Sequence, residues 1–211
     1  MKSRPFVFIN AAMSADGKIS TYERRQTRIS GQRDLERVDQ LRASADGIMV
    51  GIGTVLADNP SLTVKSGEKN PIRIVVDSMA RTPVDAEVIS RKGHAIIAVS
   101  KSAPCERVNA LREKADIIVA GDERVSLPEL LSELKKKGIN RLMVEGGATL
   151  NWSLISEGLV DEIYVYIGNM IIGGKDAPTL VEGVGFVDPM KLKLLSVERM
   201  DEGVLVKWCV F

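Results

Sequence analysis

The sequence predicts an α/β protein whose mostly parallel central sheet is flanked by helices and closes in an antiparallel hairpin. Three observations carry that reading. Apolar runs of strand length alternate with segments of helical length along the 211-residue chain. Several of those runs are β-branched and apolar on both faces, as a parallel sheet covered by helices demands. The last stretch differs, giving two strand-like runs around Asp201-Glu202-Gly203, a hairpin signal.

In chain order, strands are expected at Phe6 to Ser14, Gly47 to Gly51, Ile72 to Asp77, Ala95 to Val99, Asp116 to Ala120, Arg141 to Glu145 and Glu162 to Ile167. Between them, Gln32 to Ala45 reads as a helix whose Leu35, Val38, Leu41 and Ala45 recur at spacings of three and four. A second helix, Leu127 to Lys137, has Pro128 in its first turn and Gly138 where a terminating glycine belongs. Ala148 to Glu157 is a third, ending at Gly158. After the second strand, two glycines lead into one helical turn closed by Asp58-Asn59-Pro60. The closing strands are Lys191 to Arg199 and Val204 to Phe211. No repeat or linker divides the chain, so a single domain over 1–211 is expected.

Composition narrows the function. At 45% hydrophobic and 27% charged the chain is that of an ordinary globular protein. Its 29 Lys and Arg against 28 Asp and Glu leave a net charge of +1, which argues against a nucleic-acid partner. No run approaches the ~20 apolar residues of a membrane helix, and Phe6 to Ile9 is too short for a signal segment. A cytoplasmic location is therefore expected. Cys105 and Cys209 form no CxxC, and His94 is the single histidine, so neither a metal site nor a histidine triad is expected. His94 follows Gly93 and reads as a surface-turn residue.

In open α/β sheets ligands bind beyond the carboxyl ends of strands, and three such positions concentrate glycine, acid and hydroxyl residues. At Val144-Glu145-Gly146-Gly147-Ala148-Thr149 an apolar strand ends in an acid, two glycines follow and a helix begins. Glycines let backbone N–H groups approach a phosphate, and the helix dipole favours it; a bare strand-to-helix turn would read the same. Gly51 to Thr63 follows a strand in the same way, with Thr54 able to offer a hydroxyl to a phosphate. Asp58 and Asn59 there either meet ribose hydroxyls or cap the turn. In Asn10 to Ile19, small residues leave room for a flat ligand against the backbone, although Asp16-Gly17 is also a plain turn signal.

Taken together these segments resemble the riboflavin-biosynthesis reductases, which have a dihydrofolate-reductase-like fold. The resemblance rests on residues 11 to 18, on Leu41-Arg42-Ala43 followed by Asp46 to Gly51, and on Gly53-Thr54-Val55-Leu56-Ala57-Asp58-Asn59-Pro60. It continues through Leu62 to Lys65, Arg73 to Ser78, Val144 to Gly147 and Gly158 to Glu162. No zinc-deaminase segment precedes the motifs, which points to the single-domain, archaeal-type branch.

The resemblance implies NADPH as cofactor, with Ala12, Thr54, Asp58, Ser78 and Gly146, Gly147, Ala148 and Thr149 lining its site. Arg81, three residues past Ser78, is the expected partner of the 2′-phosphate. Arg42, Leu62, Thr63, Lys65 and Glu145 match substrate positions, with Arg42 and Lys65 suited to a 5′-phosphate. Lys65 stands where many members carry Arg, and Arg28 stands where the fused enzymes carry an aromatic residue, in the loop Thr21 to Ser30. The implied reaction is reduction of the ribosyl group of a diaminated pyrimidinone ribosylamine 5′-phosphate to ribityl. Lys18 and Glu145 are the catalytic candidates. Alternatives are a same-fold reductase acting on a pterin, and a nucleotide-binding domain without turnover. The apolar run Val204 to Phe211, read as an exposed edge, predicts a homodimer.

Overall fold

Runs such as Ala-Ile-Ile-Ala-Val at Ala95–Val99 can bury every side chain only in a strand with neighbours on both edges and cover on both faces, and all five residues are buried. A computed structural model describes residues 3–24, 27–65, 70–91 and 93–211. It contains two compact units. The first comprises Leu41–Met143 together with residues 3–6, and the second Val7–Gln40 and Val144–Phe211.

In the first unit β2 (Gly47–Gly51) pairs with β3 (Ile72–Val76), β3 with β4 (Ala95–Val99) and β4 with β5 (Asp116–Val119), all parallel. β6 (Arg141–Val144) lies on the other side of β2. A Cβ at Gly47 would come within 2.8 Å of the Ile74 side chain, so glycine there admits the β3 packing. Asp46 ties two strand entries together, because its Oδ2 accepts the N–H groups of Asn140 (2.9 Å) and Arg141 (3.0 Å). Helix α5 (Leu127–Lys136) buries Leu127, Leu130, Leu131 and Leu134, the i, i+3, i+4, i+7 stripe of an amphipathic helix. Each such leucine contributes roughly 1.5–3 kcal/mol on burial. Two helices escape the sequence reading. α3 (Glu87–Ser90) is a single turn, and α4 (Cys105–Arg112) buries only Val108 and Leu111, too few for a periodic signal. Arg73 on β3 is fully buried, and its Nη2 donates to Arg91 O at 2.9 Å. Desolvation lowers the pKa of that guanidinium.

In the second unit β1 (Phe6–Ser14) pairs in parallel with β7 (Glu162–Gly168). β9 (Gly203–Val210) is antiparallel to β7 on one side and to β8 (Leu192–Met200) on the other. This corrects the expected edge. The closing strand is interior, flanked on both sides, and the outer strand is β8, whose residues are exposed up to Met200. A hairpin signal gives two adjacent strands but not which of them meets β7.

The helix α1 (Gln32–Ser44) also departs from expectation. Its buried residue is Asp34, while Leu35 is 41% exposed and Val38 and Leu41 are half-buried. Asp34 is held by Ser30 Oγ (2.5 Å) and Arg37 Nε (2.8 Å), so a paired charge replaces the apolar stripe. At the turn of the β8–β9 hairpin, Asp201 Oδ2 accepts the Arg33 N–H at 3.0 Å and so satisfies a first-turn donor of α1. Of the loop Thr21 to Ser30, Arg25 and Gln26 lie outside the described residues, and Arg28 is exposed.

Candidate active site

In the second unit the strand-to-helix turn after β6 is built from Glu145, Gly146 and Gly147 and leads into α6 (Ala148–Ser156). Gly146 has φ +97°, a left-handed conformation that L side chains rarely adopt. A Cβ there would meet nothing within 4 Å, so the position needs glycine for its backbone and leaves open space above it. Gly147 is the N-cap of α6 and offers no side chain to the first-turn amides. Those N–H groups have no acceptor inside the helix, and the dipole adds positive potential. Ala148 is buried, Thr149 exposed and Glu145 half-buried. Asn151 fixes the helix from below by donating Nδ2–H to Leu180 O at 2.9 Å, while Glu182 N–H donates to Ala148 O at 3.2 Å.

Lys18, also in this unit, is half-buried, and its Nζ donates to Ala177 O at 2.9 Å. Ala12 lies on β1 opposite Tyr166 of β7 and packs against the buried cluster of Ile29, Tyr166, Met200 and Leu205. Its methyl group thus serves the core.

In the first unit β2 runs into α2 (Ile52–Asp58) through Gly51, which likewise provides no side-chain cap. The helix has two turns where one was expected, since Ile52 and Val55 are both buried and extend it. It stops at Asn59, which is left-handed (φ +42°) and donates its N–H to Val55 O, and Pro60 follows. Gly53 is exposed, with no atom within 4 Å of a Cβ built there, and Thr54 beside it is half-buried. Desolvation holds the Asp58 carboxyl above its ordinary range even though the residue reaches solvent. Asn59 Oδ1 accepts the Glu87 N–H at 2.9 Å, which makes its side chain a fold contact.

The expected substrate residues of this unit come together in part. Arg42, in the last turn of α1, donates from Nη1 to Thr63 O at 3.2 Å. Thr63 Oγ1 lies 3.2 Å from Ser61 Oγ, and Leu62 between them is buried with φ +51°. A non-glycine residue in that region costs of order 1–3 kcal/mol, strain of the kind found at ligand sites. Lys65 is exposed two residues on.

Ser78 and Arg81 sit on the turn after β3. Ser78 Oγ accepts the Val125 N–H (3.0 Å), and its hydroxyl proton remains to donate. Arg81 is half-exposed, with Nε 3.7 Å from Oδ1 of the fully buried Asp77. Asp77, expected as a strand end, accepts both the N–H (2.7 Å) and the hydroxyl (2.8 Å) of Thr82 at its Oδ2 and so shapes the turn that presents Arg81. The available signal was the five-residue spacing of an acid and a threonine around that turn. His94 is an exposed surface residue bonded to Asp116 at 2.9 Å. Among the described residues no helix is long and apolar enough to cross a membrane.

Comparison with known proteins matches this geometry to a family. A 2,5-diamino-6-ribosylamino-4(3H)-pyrimidinone 5′-phosphate reductase of Archaeoglobus fulgidus is 50% identical over 214 residues, covering 96% of this chain and 97% of that one. The structure of Acinetobacter baumannii RibD superposes with a TM-score of 0.83 at 24% identity, over all of this chain and 59% of that one. Enterococcus faecalis dihydrofolate reductase shares the fold more distantly, with a TM-score of 0.53 at 13% identity over 97% of this chain and 96% of that one. The RibD C-terminal domain family matches residues 5–206, and the chain belongs to that family.

Proposed function

We propose that this chain is an NADPH-dependent reductase that converts the ribosyl group of 2,5-diamino-6-ribosylamino-4(3H)-pyrimidinone 5′-phosphate to ribityl. The observation that carries the reading is the turn at Gly146 and Gly147. β6 ends at Val144 with the acid Glu145 next in the chain, Gly146 is left-handed with free space where a Cβ would stand, and α6 begins without a side-chain cap. Such a cradle suits a dinucleotide pyrophosphate. The half-identical Archaeoglobus fulgidus reductase favours this substrate over a pterin and over a domain without turnover.

In this reading Gly146, Gly147, Ala148 and Thr149 hold cofactor phosphates, with Ala12 the other cofactor residue of that unit, and Thr54, Asp58 and Ser78 are the cofactor residues the resemblance assigns to the first unit. Arg81 receives the 2′-phosphate and sets the preference for NADPH over NADH. When bound, NADPH supplies a hydride. The substrate's sugar ring opens to a C=N group at the first ribose carbon. Hydride adds to that carbon and a proton to the nitrogen, so the substrate gains two electrons and two hydrogens. Lys18 and Glu145 polarise the ribose and hold the proton. Arg42 and Lys65 bind the 5′-phosphate, with Leu62 and Thr63 beside it. We further propose a homodimer formed through β8, where Leu192, Leu194, Leu195 and Val197 lie exposed on the outer strand. Light scattering should give about twice 23.0 kDa.

The deciding experiment follows NADPH absorbance with the phosphorylated substrate and with its dephosphorylated form. Turnover is expected with the first, and Arg42→Ala should lower kcat/KM on it by at least about tenfold, the cost of one charged hydrogen bond. No oxidation of NADPH with the phosphorylated compound would refute the reading, and equal efficiency on the two would remove the phosphate site.

A further inference from the structure

The turn that follows β1 is fastened along its length to residues 170–179. Ala15 N–H donates to Met170 O (2.8 Å) and Ile19 N–H to Pro178 O (2.9 Å). Lys18 donates from Nζ to Ala177 O and forms an antiparallel bridge with Thr179. Asp16 supplies the polar centre of this seam. Its Oδ1 accepts Ser14 Oγ (2.5 Å) and the Ile172 N–H (3.1 Å), and its Oδ2 accepts the Gly173 N–H (2.7 Å). These donors pull the carboxyl down to about 2, so it is an anion at any physiological pH.

The same segment continues to α6, where Leu180 O and the Glu182 N–H meet Asn151 and Ala148. One stretch of chain therefore connects the Lys18 turn to the Gly146–Gly147 turn. Its weak point is Gly173-Gly174, both left-handed (φ +69° and +84°), because two adjacent glycines carry little stiffness of their own. Asp16 grips the first of them. Lys18 has three N–H donors. One is committed to Ala177 O, and the position of that carbonyl decides where the other two point.

We propose that Asp16 is a positioning residue of the reductase reaction, which fixes residues 170–173 and through them aims the Lys18 ammonium. The inference rests on the reductase reading of Lys18. The alternative is that Asp16 only closes an Asp-Gly turn, a task Asn performs equally well.

Asp16→Asn keeps the size and loses the anion, so it separates the two. The expected result is a kcat lowered at least about tenfold, the scale of a misaimed catalytic group, with substrate KM and NADPH Kd within about twofold. The deuterium isotope effect with NADPH labelled at the transferred hydrogen should rise as hydride transfer becomes limiting, which a mere loss of folded protein would not cause. A kcat within about twofold of wild type and an unchanged isotope effect would overturn the proposal. If Asp16→Asn fails to fold, Asp16→Glu serves. Its extra methylene should again raise the isotope effect, and a wild-type value would count against the inference. Hydrogen exchange on the protein alone gives an arm independent of turnover. The Ile172 and Gly173 amides should exchange about tenfold faster in the variant, and equal rates would refute the tether. Wild-type inactivity, by contrast, would sink the reductase reading and leave the exchange result to judge Asp16.

Discussion

Two aspartates placed alike in the fold do different work. Asp77 follows β3 in the first unit, and Asp16 follows β1 by two residues in the second. Each accepts a hydroxyl and a backbone N–H. Asp77 is fully buried, and both bonds to its Oδ2 come from Thr82, five residues along the chain. Asp16 is exposed and takes two of its donors from Ile172 and Gly173, 156 and 157 residues away. A buried carboxylate with local partners is a structural part whose removal leaves orphaned donors. An exposed carboxylate with distant partners contributes less to stability and more to holding one segment against another. The difference lies in burial and in chain separation, since the chemical group is the same.

The largest effect expected from this contrast belongs to Asp77→Ala. It leaves the amide and hydroxyl of Thr82 without acceptors in a closed site and should cost about 2–4 kcal/mol, lowering Tm by roughly 5–15 °C. A loss under about 1 kcal/mol in denaturant unfolding would erase the distinction. Thr82→Val should come next at about 1–2 kcal/mol, because it removes the hydroxyl bond and keeps the amide bond. A larger loss than for Asp77→Ala would show that the threonine acts elsewhere.

Asp16→Ala should shift Tm by clearly less than Asp77→Ala under the same conditions, since solvent screens the lost charge. Equal shifts would place both carboxylates in the structural class. The smallest effect is a pH dependence. The Asp16 carboxyl is lowered from 3.8 to about 2 in the folded chain, so its contribution is fully present above its unfolded value. That contribution fades as the pH falls from about 4 towards 2. The Tm gap between wild type and Asp16→Asn should therefore close across that window, and a gap constant down to pH 2 would contradict the assignment.

Legibility in the sequence followed the range of the interaction. β1, Phe6–Ser14, and β2, Gly47–Gly51, have the bounds their apolar runs announce, and α5 ends one residue early, at Lys136. Each is set by side chains a few residues apart. The turn at Gly146 is readable for the same reason, as strand, glycines and helix are consecutive. α4 is not, because two buried residues, Val108 and Leu111, do not make a period. In α1 the apolar spacing misled. Ser30 and Arg37 neutralise Asp34 and let it take the buried place that Leu35 was expected to fill.

The sequence by itself determined the α/β alternation, the closing hairpin and the glycine-rich strand ends, along with the family those motifs resemble. All of these are encoded in residues near one another, where periodicity, turn chemistry and backbone freedom act directly. Only the tertiary structure decided that β9 lies inside and β8 outside, that the buried Asp77 stands beside the half-exposed Arg81, and that Asp16 reaches across to Gly173. Those outcomes depend on which strand finds which neighbour, and a hydrogen bond between residues more than 150 positions apart leaves no periodic trace in the chain.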